Sequence, residues 1–390
     1  MPPFPPAEYE TRIQNTQARM ERDGIDVLVV TDPANMYYLS GYDAWSFYVP
    51  QALVLSLEAS QPIWIGREMD AAAAEQTTWL DAENIHYYTD DYVQSPDDKH
   101  PMDVIADVLR DRTTATGTIG TEMDAPYFTA RSYQRLTNRL PDAEFVDATL
   151  LVNWERLVKS DREIQYMRQA TTLVEHAMDA ALDVIEPGVR ECDVIAEIYR
   201  AGIGGTDAFG GEYPAIVPLM PTGKGTNTPH LTWTDDRIEP QTPIILELAG
   251  CKHRYHSPMA RSVYVGDPPE RLQRVATAIT DGVAAAFETV EAGVTCATVE
   301  QAWRETIADH GFEKESRIGY GVGIGYPPDW GEHNASLRPS DETILRENMT
   351  FHVIPGIWLD DVGLELSQTI RVTSSGVEVF GEYPRELFVL

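Results

Sequence analysis

The chain has 390 residues, more than one ordinary domain holds, so we expect two domains. Hydrophobic residues make up 43% of it, enough for a sizeable core. No apolar run reaches the roughly 18 residues that a membrane helix needs. Acidic residues outnumber basic ones by 62 to 30, a net charge of -32, which disfavours nucleic acids and anionic membranes as partners.

The acidic residues are scattered along the chain, which favours a solvated acidic surface over a disordered tail. Such a surface suits a salt-adapted, halophilic source, because salt screens the self-repulsion; a merely acidic mesophilic enzyme is the alternative. The N-terminal MPPFPPAEYETRIQ is not typical of a signal peptide. The cysteines, Cys192, Cys251 and Cys296, form no CxxC pair. We therefore expect buried thiols in a reducing, cytoplasmic setting. The expected partner is a small-molecule substrate.

Residues 1–150 alternate helical and strand patterns, which predicts a small α/β domain. An amphipathic helix is predicted from residue 7 to Gly24, where glycine favours a helix end. Short apolar runs predict strands, and polar periodic runs predict two further helices. The predicted strands are 25–32, 51–57, 62–66 and 116–122, and the further helices are 100–112 and 127–140.

Residues 151–390 form the second predicted domain. One long helix is predicted over 153–185, with an internal start at Ser160 and a stop at Pro187-Gly188. VIEPGVRECDVIAEIYRAGI (184–203) resembles TVEAGVTCATVEQAWRETI (289–307), which predicts a pseudo-two-fold domain. Alternating runs predict an antiparallel sheet with one polar face: 242–250, 260–266, 349–357 and 363–373. The predicted fold class is α/β in the first domain and α+β in the second.

Two segments carry a family resemblance. NMYYLSGYDAW (35–45) resembles a motif of creatinase N-terminal domains, and LVKSDREIQYMRQA (157–170) resembles the start of their catalytic domains. The two halves of 151–390 resemble the pita-bread fold shared by creatinase, aminopeptidase P, prolidase and methionine aminopeptidase. The resemblance implies a homodimer in which residues 35–48 of one chain lie near the active site of the other.

The metallopeptidases of this family bind two metal ions through two Asp, one His and two Glu. The resemblance places these five positions at Glu247, Pro258, Tyr320, Ile354 and Ser367. A hard divalent site needs several converging carboxylates or imidazoles, and only Glu247 supplies one. We therefore expect no metal and no other cofactor.

Three residues are the catalytic candidates: Glu247, His230 and Glu365. The resemblance to creatinase implies a catalytic role for His230, and histidine can transfer protons near neutral pH. A carboxylate in a partly apolar pocket can act as nucleophile, base or cation stabiliser. The alternatives are a turn residue for His230, a buried ion pair of Glu247 with Arg254 or Arg261, and a solvent-facing Glu365.

The remaining candidates would bind or surround the substrate, although any single aromatic residue is more often part of a core. On a strand, His352 would share a face with Ile354, and Glu365 with Ser367. The expected substrate-binding residues are Tyr320, His352, Trp45, Tyr48, Trp233, Tyr255, Tyr326, Trp330 and Trp358.

The resemblance also bears on the substrate. Creatinase carries acids where this chain has Ile354 and an acid-free YHSPMARS, which disfavours a guanidinium substrate. Four runs, 210–233, 247–263, 325–332 and 363–373, resemble the ectoine hydrolase branch of the family. That branch implies metal-independent opening of the cyclic amidine ring of ectoine, and of hydroxyectoine, to N-acetylated 2,4-diaminobutyrate. The alternatives are another creatinase-like or Xaa-Pro dipeptidase-like hydrolase and an inactive small-molecule-binding member.

Overall fold

The computed structural model describes residues 2–95, 98–113 and 116–390. They form two compact units, Met1–Arg156 and Leu157–Leu390. The division falls after the short helix Leu151–Arg156, whereas the sequence analysis placed the boundary before it. Within the described ranges, every helix is too short or too polar to cross a bilayer.

A mixed sheet forms the centre of the first unit, in the order β4-β3-β2-β1-β5-β6. Its central strand is wholly buried, as the apolar run 25–32 predicts. The sequence analysis did not predict the outer strands β4 and β6, because their residues are mostly polar or half-buried and form no apolar run. The strands are β1 Val27–Val30, β2 Ala52–Ser56, β3 Ile63–Arg67, β4 Ile85–Tyr88, β5 Thr118–Thr121 and β6 Glu144–Asp147.

The helices of the first unit confirm the three that were predicted and add others. The first ends at Gly24, which has a left-handed φ of 72° that glycine adopts without strain. The helices are α1 Pro6–Asp23, α2 Pro33–Ser40, α3 Ala71–Thr77, α4 Pro101–Arg112, α5 Ala130–Arg139 and α6 Leu151–Arg156.

The creatinase-like segment 35–48 divides into two parts. Every residue of α2 is buried. The Asn35 amide donates to Glu122 Oε1 at 2.6 Å and to Asn153 Oδ1 at 2.7 Å. Only Trp45 and Tyr48, 58% and 68% exposed, present large aromatic surfaces. The part before Trp45 therefore stabilises the first unit. A role for the segment in a homodimer stays a prediction, which now depends on the exposed Trp45 and Tyr48.

The second unit contains the helices α7 Asp161–Val184, α8 Glu191–Gly204, α9 Glu270–Thr289 and α10 Cys296–Asp309. The single long helix over 153–185 was a wrong prediction, because α6 ends at Arg156 and α7 begins anew after Ser160. Ser160 Oγ accepts from the Glu163 N–H, and Glu163 Oε2 accepts from the Ser160 N–H at 2.7 Å. This capping box satisfies N–H groups that have no helical partner and starts α7.

Replacing Ser160 with alanine is expected to lower the free energy of unfolding by about 1 kcal/mol, since one capping bond at the start of α7 is lost. Urea denaturation of the full chain measures the change. Ser374→Ala, which removes an exposed turn hydroxyl, serves as the control. Equal stability of the two variants would contradict the capping role.

The strands of the second unit follow the two repeated segments. A hairpin of β7 and β8 comes after α7 and α8, and a hairpin of β9 and β10 comes after α9 and α10. Both copies of the repeat contain the predicted helix end and second helix. The first strands are β7 Thr242–Lys252, β8 Tyr255–Val265, β9 Gly319–Tyr326 and β10 Asp329–Leu337.

The last strands complete a sheet ordered β15-β14-β11-β9-β8-β16, with β7 paired to β8 and β10 to β9. The pairs are antiparallel as predicted, except that β16 runs parallel to β8. Each of the predicted runs 349–357 and 363–373 is broken into two strands. The last six strands are β11 Thr350–Val353, β12 Gly356–Trp358, β13 Gly363–Glu365, β14 Gln368–Thr373, β15 Gly376–Val379 and β16 Phe388–Val389. Of these, β12 and β13 pair only with each other, as a separate two-stranded ribbon among the described residues.

Candidate active site

Glu247 lies in the middle of β7, opposite Ala260 of β8. Its neighbours Leu246 and Leu248 point to the other face, into a core shared with α7 and α8, because side chains alternate along a strand. Glu247 is 5% exposed. Its carboxyl group forms no hydrogen bond or ion pair with another described residue. Burial and, second, the charge of Asp329 raise the pKa of Glu247 to about 8.

The alternative of a buried ion pair for Glu247 is not what the structure shows. The Arg254 guanidinium donates to the carbonyls of Tyr213 and Gly325, each at 3.1 Å. The Arg261 guanidinium donates to the carbonyls of Ala260, Ser367 and Pro384 and to Gln368 Oε1. Both arginines are thus held mainly by backbone oxygens. Glu247, on the polar face of the strand, has no arginine paired with its carboxyl group.

Asp329, at the start of β10, is a charged neighbour that the sequence analysis did not single out. Burial pushes the pKa of Asp329 upward, but hydrogen bonds from His333 and from the Gly331 N–H outweigh it and hold the pKa below its usual value. The distances are 3.2 Å from His333 Nε2 and 2.9 Å from the Gly331 nitrogen. Asp329 therefore keeps a fixed negative charge, which disfavours ionisation of Glu247. Asp329 lies within the run 325–332, which enters the sequence analysis only through its resemblance to the family.

Glu365 ends β13 and is 1% exposed. Neither carboxyl oxygen has a hydrogen-bond partner among the described residues. Burial and the charge of Glu247 raise the pKa of Glu365 well above its ordinary value, against the opposing effect of Lys314. Two buried carboxyl groups that interact in this way do not both ionise easily. The alternative of a solvent-facing Glu365 is therefore wrong.

Tyr320, His352 and Ser367 form a chain of hydrogen bonds beside these acids. The Tyr320 hydroxyl accepts from Trp330 Nε1 and lies 3.0 Å from His352 Nδ1. His352 Nε2 lies 2.7 Å from Ser367 Oγ, which accepts from the Ala260 N–H at 2.6 Å. Ala260 is the residue paired with Glu247. These hydrogen bonds therefore link Tyr320 and Ser367, which the resemblance matches to metal ligands of the family, to the strand pair that holds Glu247.

Burial determines the charge states of the hydrogen-bonded residues Tyr320 and His352. His352 has no exposed surface, and burial and the nearby Arg317 lower its pKa to about 3. Burial and the charge of Glu247 raise the pKa of Tyr320 well above 10. Both groups are neutral near pH 7. The strand arguments that led to His352 were wrong in detail, since β11 ends at Val353 and β13 at Glu365.

His230 lies on a loop that is anchored beside the acids. Thr226 Oγ1 accepts from the Gly363 N–H at 3.2 Å, and Leu231 O accepts from the Met220 N–H at 3.3 Å. The preceding Leu219 pairs with Glu247 through backbone bonds. His230 itself is exposed and bonds to none of the described residues. The structure does not bring its side chain into the buried cluster, so its catalytic role stays a prediction.

The predicted aromatic walls fall into different places. Trp330 contacts the His352 ring at 6.2 Å between centroids. Trp358 lies on the face of the β12–β13 ribbon that carries Glu365, since Gly356 pairs with Glu365 and Trp358 with Gly363. These two tryptophans border the acids. Lys314 Nζ stands 4.3 Å from the Trp358 ring centroid.

The other aromatic candidates have different neighbours. Tyr255 donates to Glu163 Oε1 at 2.6 Å, and Trp233 packs against the α7–α8 core, on the face of the β7–β8 pair opposite Glu247. Tyr326 stacks under the Arg254 guanidinium, 4.6 Å away. Trp45 and Tyr48 lie in the first unit. The placement of Trp233 and Tyr255 therefore gives them packing roles.

The donor set does not fit a pair of divalent metal ions. The described residues contain no cluster of three or more His, Cys, Asp or Glu able to hold one. Both nitrogens of His352 are engaged by Tyr320 and Ser367. Both nitrogens of the other buried histidine on this face, His256, bond to the backbone of Ala215 and Arg254. The Asp329 carboxylate is engaged by His333 and the Gly331 N–H, and Glu247 and Glu365 supply too few ligands.

Two family models match this chain. The model described as Creatinase/Prolidase N-terminal domain matches residues 12–158, and the model described as Metallopeptidase family M24 matches residues 165–374. A curated ectoine hydrolase from Halomonas elongata is 48% identical over 394 aligned positions, covering 99% of this chain and 98% of the relative. An Xaa-Pro dipeptidase from Pyrococcus horikoshii is 24% identical, covering 94% and 96%.

Solved structures share the fold at lower identity. A prolidase from Thermococcus sibiricus has a TM-score of 0.85 at 19% identity, covering 98% of this chain and 99% of that one. The N-terminal domain of the FACT complex subunit SPT16 from chickpea has a TM-score of 0.76 at 15% identity, covering 98% of both chains. With both family models matched in order, the chain is a hydrolase of the M24 family with a creatinase-type N-terminal domain.

Proposed function

We propose that this chain hydrolyses the cyclic amidine ring of ectoine without a metal ion, giving N-acetylated 2,4-diaminobutyrate. The observation that carries the proposal is the buried pair Glu247 and Glu365, whose carboxyl groups find no bonding partner in the described chain. Buried polar groups are normally bonded, so these acids are suited to a polar substrate. The full-length similarity to the Halomonas enzyme supports ectoine as that substrate; hydroxyectoine is a second candidate.

The charge of the substrate matches the acids. A protonated amidine is a cation, and a cation beside Glu247 favours its ionised form over the neutral form that burial and Asp329 favour. The carboxylate then attacks the electrophilic amidine carbon or stabilises its positive charge while water adds. In the covalent route, cleavage of one ring C–N bond releases the amine and leaves the amidine carbon bonded to Glu247; water then adds to that carbon and the bond to Glu247 breaks, which restores the carboxylate and forms the amide. In the direct route, water adds to the carbon and the same ring C–N bond breaks. Either route adds one water in total. His230, on the adjacent loop, would carry protons to the leaving nitrogen and from the water.

The direct test incubates chelator-treated protein with ectoine and follows the ring-opened product by proton NMR. We expect product to accumulate at the same rate with and without added chelator. A parallel sample receives manganese and an X-Pro dipeptide. Activity that appears only in the manganese sample would favour the dipeptidase alternative and overturn the proposal.

Replacing Asp329 with asparagine should move the acidic limb of the pH profile to lower pH. Glu247 must be ionised to act, and its pKa of about 8 is raised in part by Asp329. Thus kcat/KM should rise with pH through this value, and removal of the negative charge should let Glu247 ionise at a lower pH. Asp309→Asn, at an exposed position on α10, is the control. An unchanged limb would argue against Asp329 as the cause.

A catalytically inactive binding protein is the second candidate. The observation that favours it is the exposed position of His230, the expected proton carrier. Such a protein would bind ectoine, as seen by calorimetry, and release no product in the NMR experiment.

A further inference from the structure

Arg317 lies two residues before β9, next to the hydrogen-bonded residues Tyr320 and His352. Its guanidinium carbon lies 4.5 Å from the centroid of the Tyr320 ring. The side chain is half-buried, and its hydrogen bonding in the described structure is one long contact, from Nη1 to Ser336 Oγ at 3.4 Å. No described carboxylate lies within 4.0 Å of it. Most of its donors are therefore unused in a partly desolvated place.

This lack of a partner is informative because acids outnumber bases by 62 to 30 in this chain. The charge of Arg317 does act on the site, since it lowers the pKa of His352. Burial lowers the pKa of Arg317, and the charge of Asp329, which lies beyond 4.0 Å, partly opposes this effect. Lys314 has other neighbours: it lies over the Trp358 ring, and the charge of Glu365 opposes the lowering of its pKa by burial. The two cations thus lie in different parts of the site, Lys314 near Glu365 and Arg317 near Tyr320 and Asp329.

We propose that Arg317 binds the carboxylate of the substrate. This inference rests on the proposed function, because ectoine carries both an amidine and a carboxylate. The planar guanidinium presents paired N–H donors that match the two oxygens of a carboxylate, and the Tyr320 ring supports it from one side. Glu247 and Glu365 take the cationic end, and Arg317 takes the anionic end. The zwitterion is thereby held in one orientation, with its amidine carbon toward Glu247.

The test compares ectoine with the same cyclic amidine lacking the carboxylate. Arg317→Met should lower kcat/KM for ectoine by about 10- to 100-fold, mainly through KM, as expected for loss of a charge-assisted pair. The same variant should change kcat/KM for the decarboxylated compound by less than about 3-fold. Arg317→Lys keeps the charge but not the paired N–H donors. Its kcat/KM for ectoine should lie between those of wild type and Arg317→Met.

Arg338→Met is the matched variant, because Arg338 also donates to Ser336 Oγ, at 3.2 Å. Two results would overturn the inference. One is an equal loss of kcat/KM on both compounds in Arg317→Met and in Arg317→Lys. The other is a loss of kcat/KM in Arg338→Met that occurs only with ectoine, the compound that carries the carboxylate. Calorimetry separates it from the proposed function. If ectoine binds in an Arg317-dependent way but is not hydrolysed, the hydrolase proposal fails and the carboxylate site stands. If wild type neither binds nor hydrolyses ectoine, both are wrong.

Discussion

Replacing Glu247 with glutamine is expected to lower kcat for ectoine by about 10³-fold or more. Glutamine has nearly the same size and can occupy the same buried place on β7, but it can neither attack the amidine carbon nor neutralise its charge. Ectoine binding should persist, because Glu365 and the tryptophans beside it remain. Steady-state rates from NMR and dissociation constants from calorimetry give the two quantities separately.

Glu239→Gln is the matched control, since Glu239 is exposed on the turn that precedes β7. Near-normal turnover by Glu247→Gln would exclude both proposed roles of Glu247. If activity is lost as expected, mass spectrometry of acid-quenched wild-type reactions distinguishes the two roles. A substrate-derived mass increase on the peptide that contains Glu247 indicates covalent attack, and its absence at full turnover indicates charge stabilisation.

Replacing Lys159 with methionine should lower the free energy of unfolding of the second unit by about 3–5 kcal/mol. Lys159 Nζ and Glu332 Oε2 are 2.7 Å apart, and each side chain is 1% exposed. Removal of the lysine takes away the cation that lies beside the buried Glu332 carboxylate, so the charge of that acid is less well compensated. Urea denaturation of the full chain measures the change. Lys252→Met, which removes a partly exposed lysine, is the control and should cost much less.

The double variant Lys159→Met, Glu332→Met provides a further check. An apolar pair of similar volume restores packing without a buried charge, so most of the lost stability should return. The site leaves little room for anything larger, since a Cβ on Gly323 would lie 2.5 Å from Glu332 Oε1 and 2.9 Å from Lys159 Cε. A single variant that unfolds like the Lys252→Met control would contradict a stabilising role for the pair.

The sequence predicted the position of a side chain correctly where the argument was local, although the roles of the candidate residues stay predictions. Strand alternation identifies Glu247 as an acid within an apolar strand, and the structure places it on the face away from the α7–α8 core. The prediction for His352 reached a buried residue of the site although its premise was wrong, because β11 ends one residue too early for the argument to hold. The prediction that Tyr255 contacts substrate was wrong in its placement. Tyr255 lies on β8, which pairs with the strand of Glu247, but its side chain points to the opposite face and donates to Glu163.

The sequence by itself determined the local features of this protein: buried strands, helix ends and the two repeated helix pairs. Its resemblance also predicted that four of the five positions matched to family metal ligands carry residues unsuited to that role. Each depends on neighbouring residues or on a resemblance read position by position. Tertiary structure decided which groups interact across long chain separations. Asp329 acts on Glu247, Lys314 on Glu365, and Arg317 on Tyr320 and His352. Because charge interactions and burial depend on distance in space, the chemistry of the acids became visible only once β7, β10 and β13 were in place.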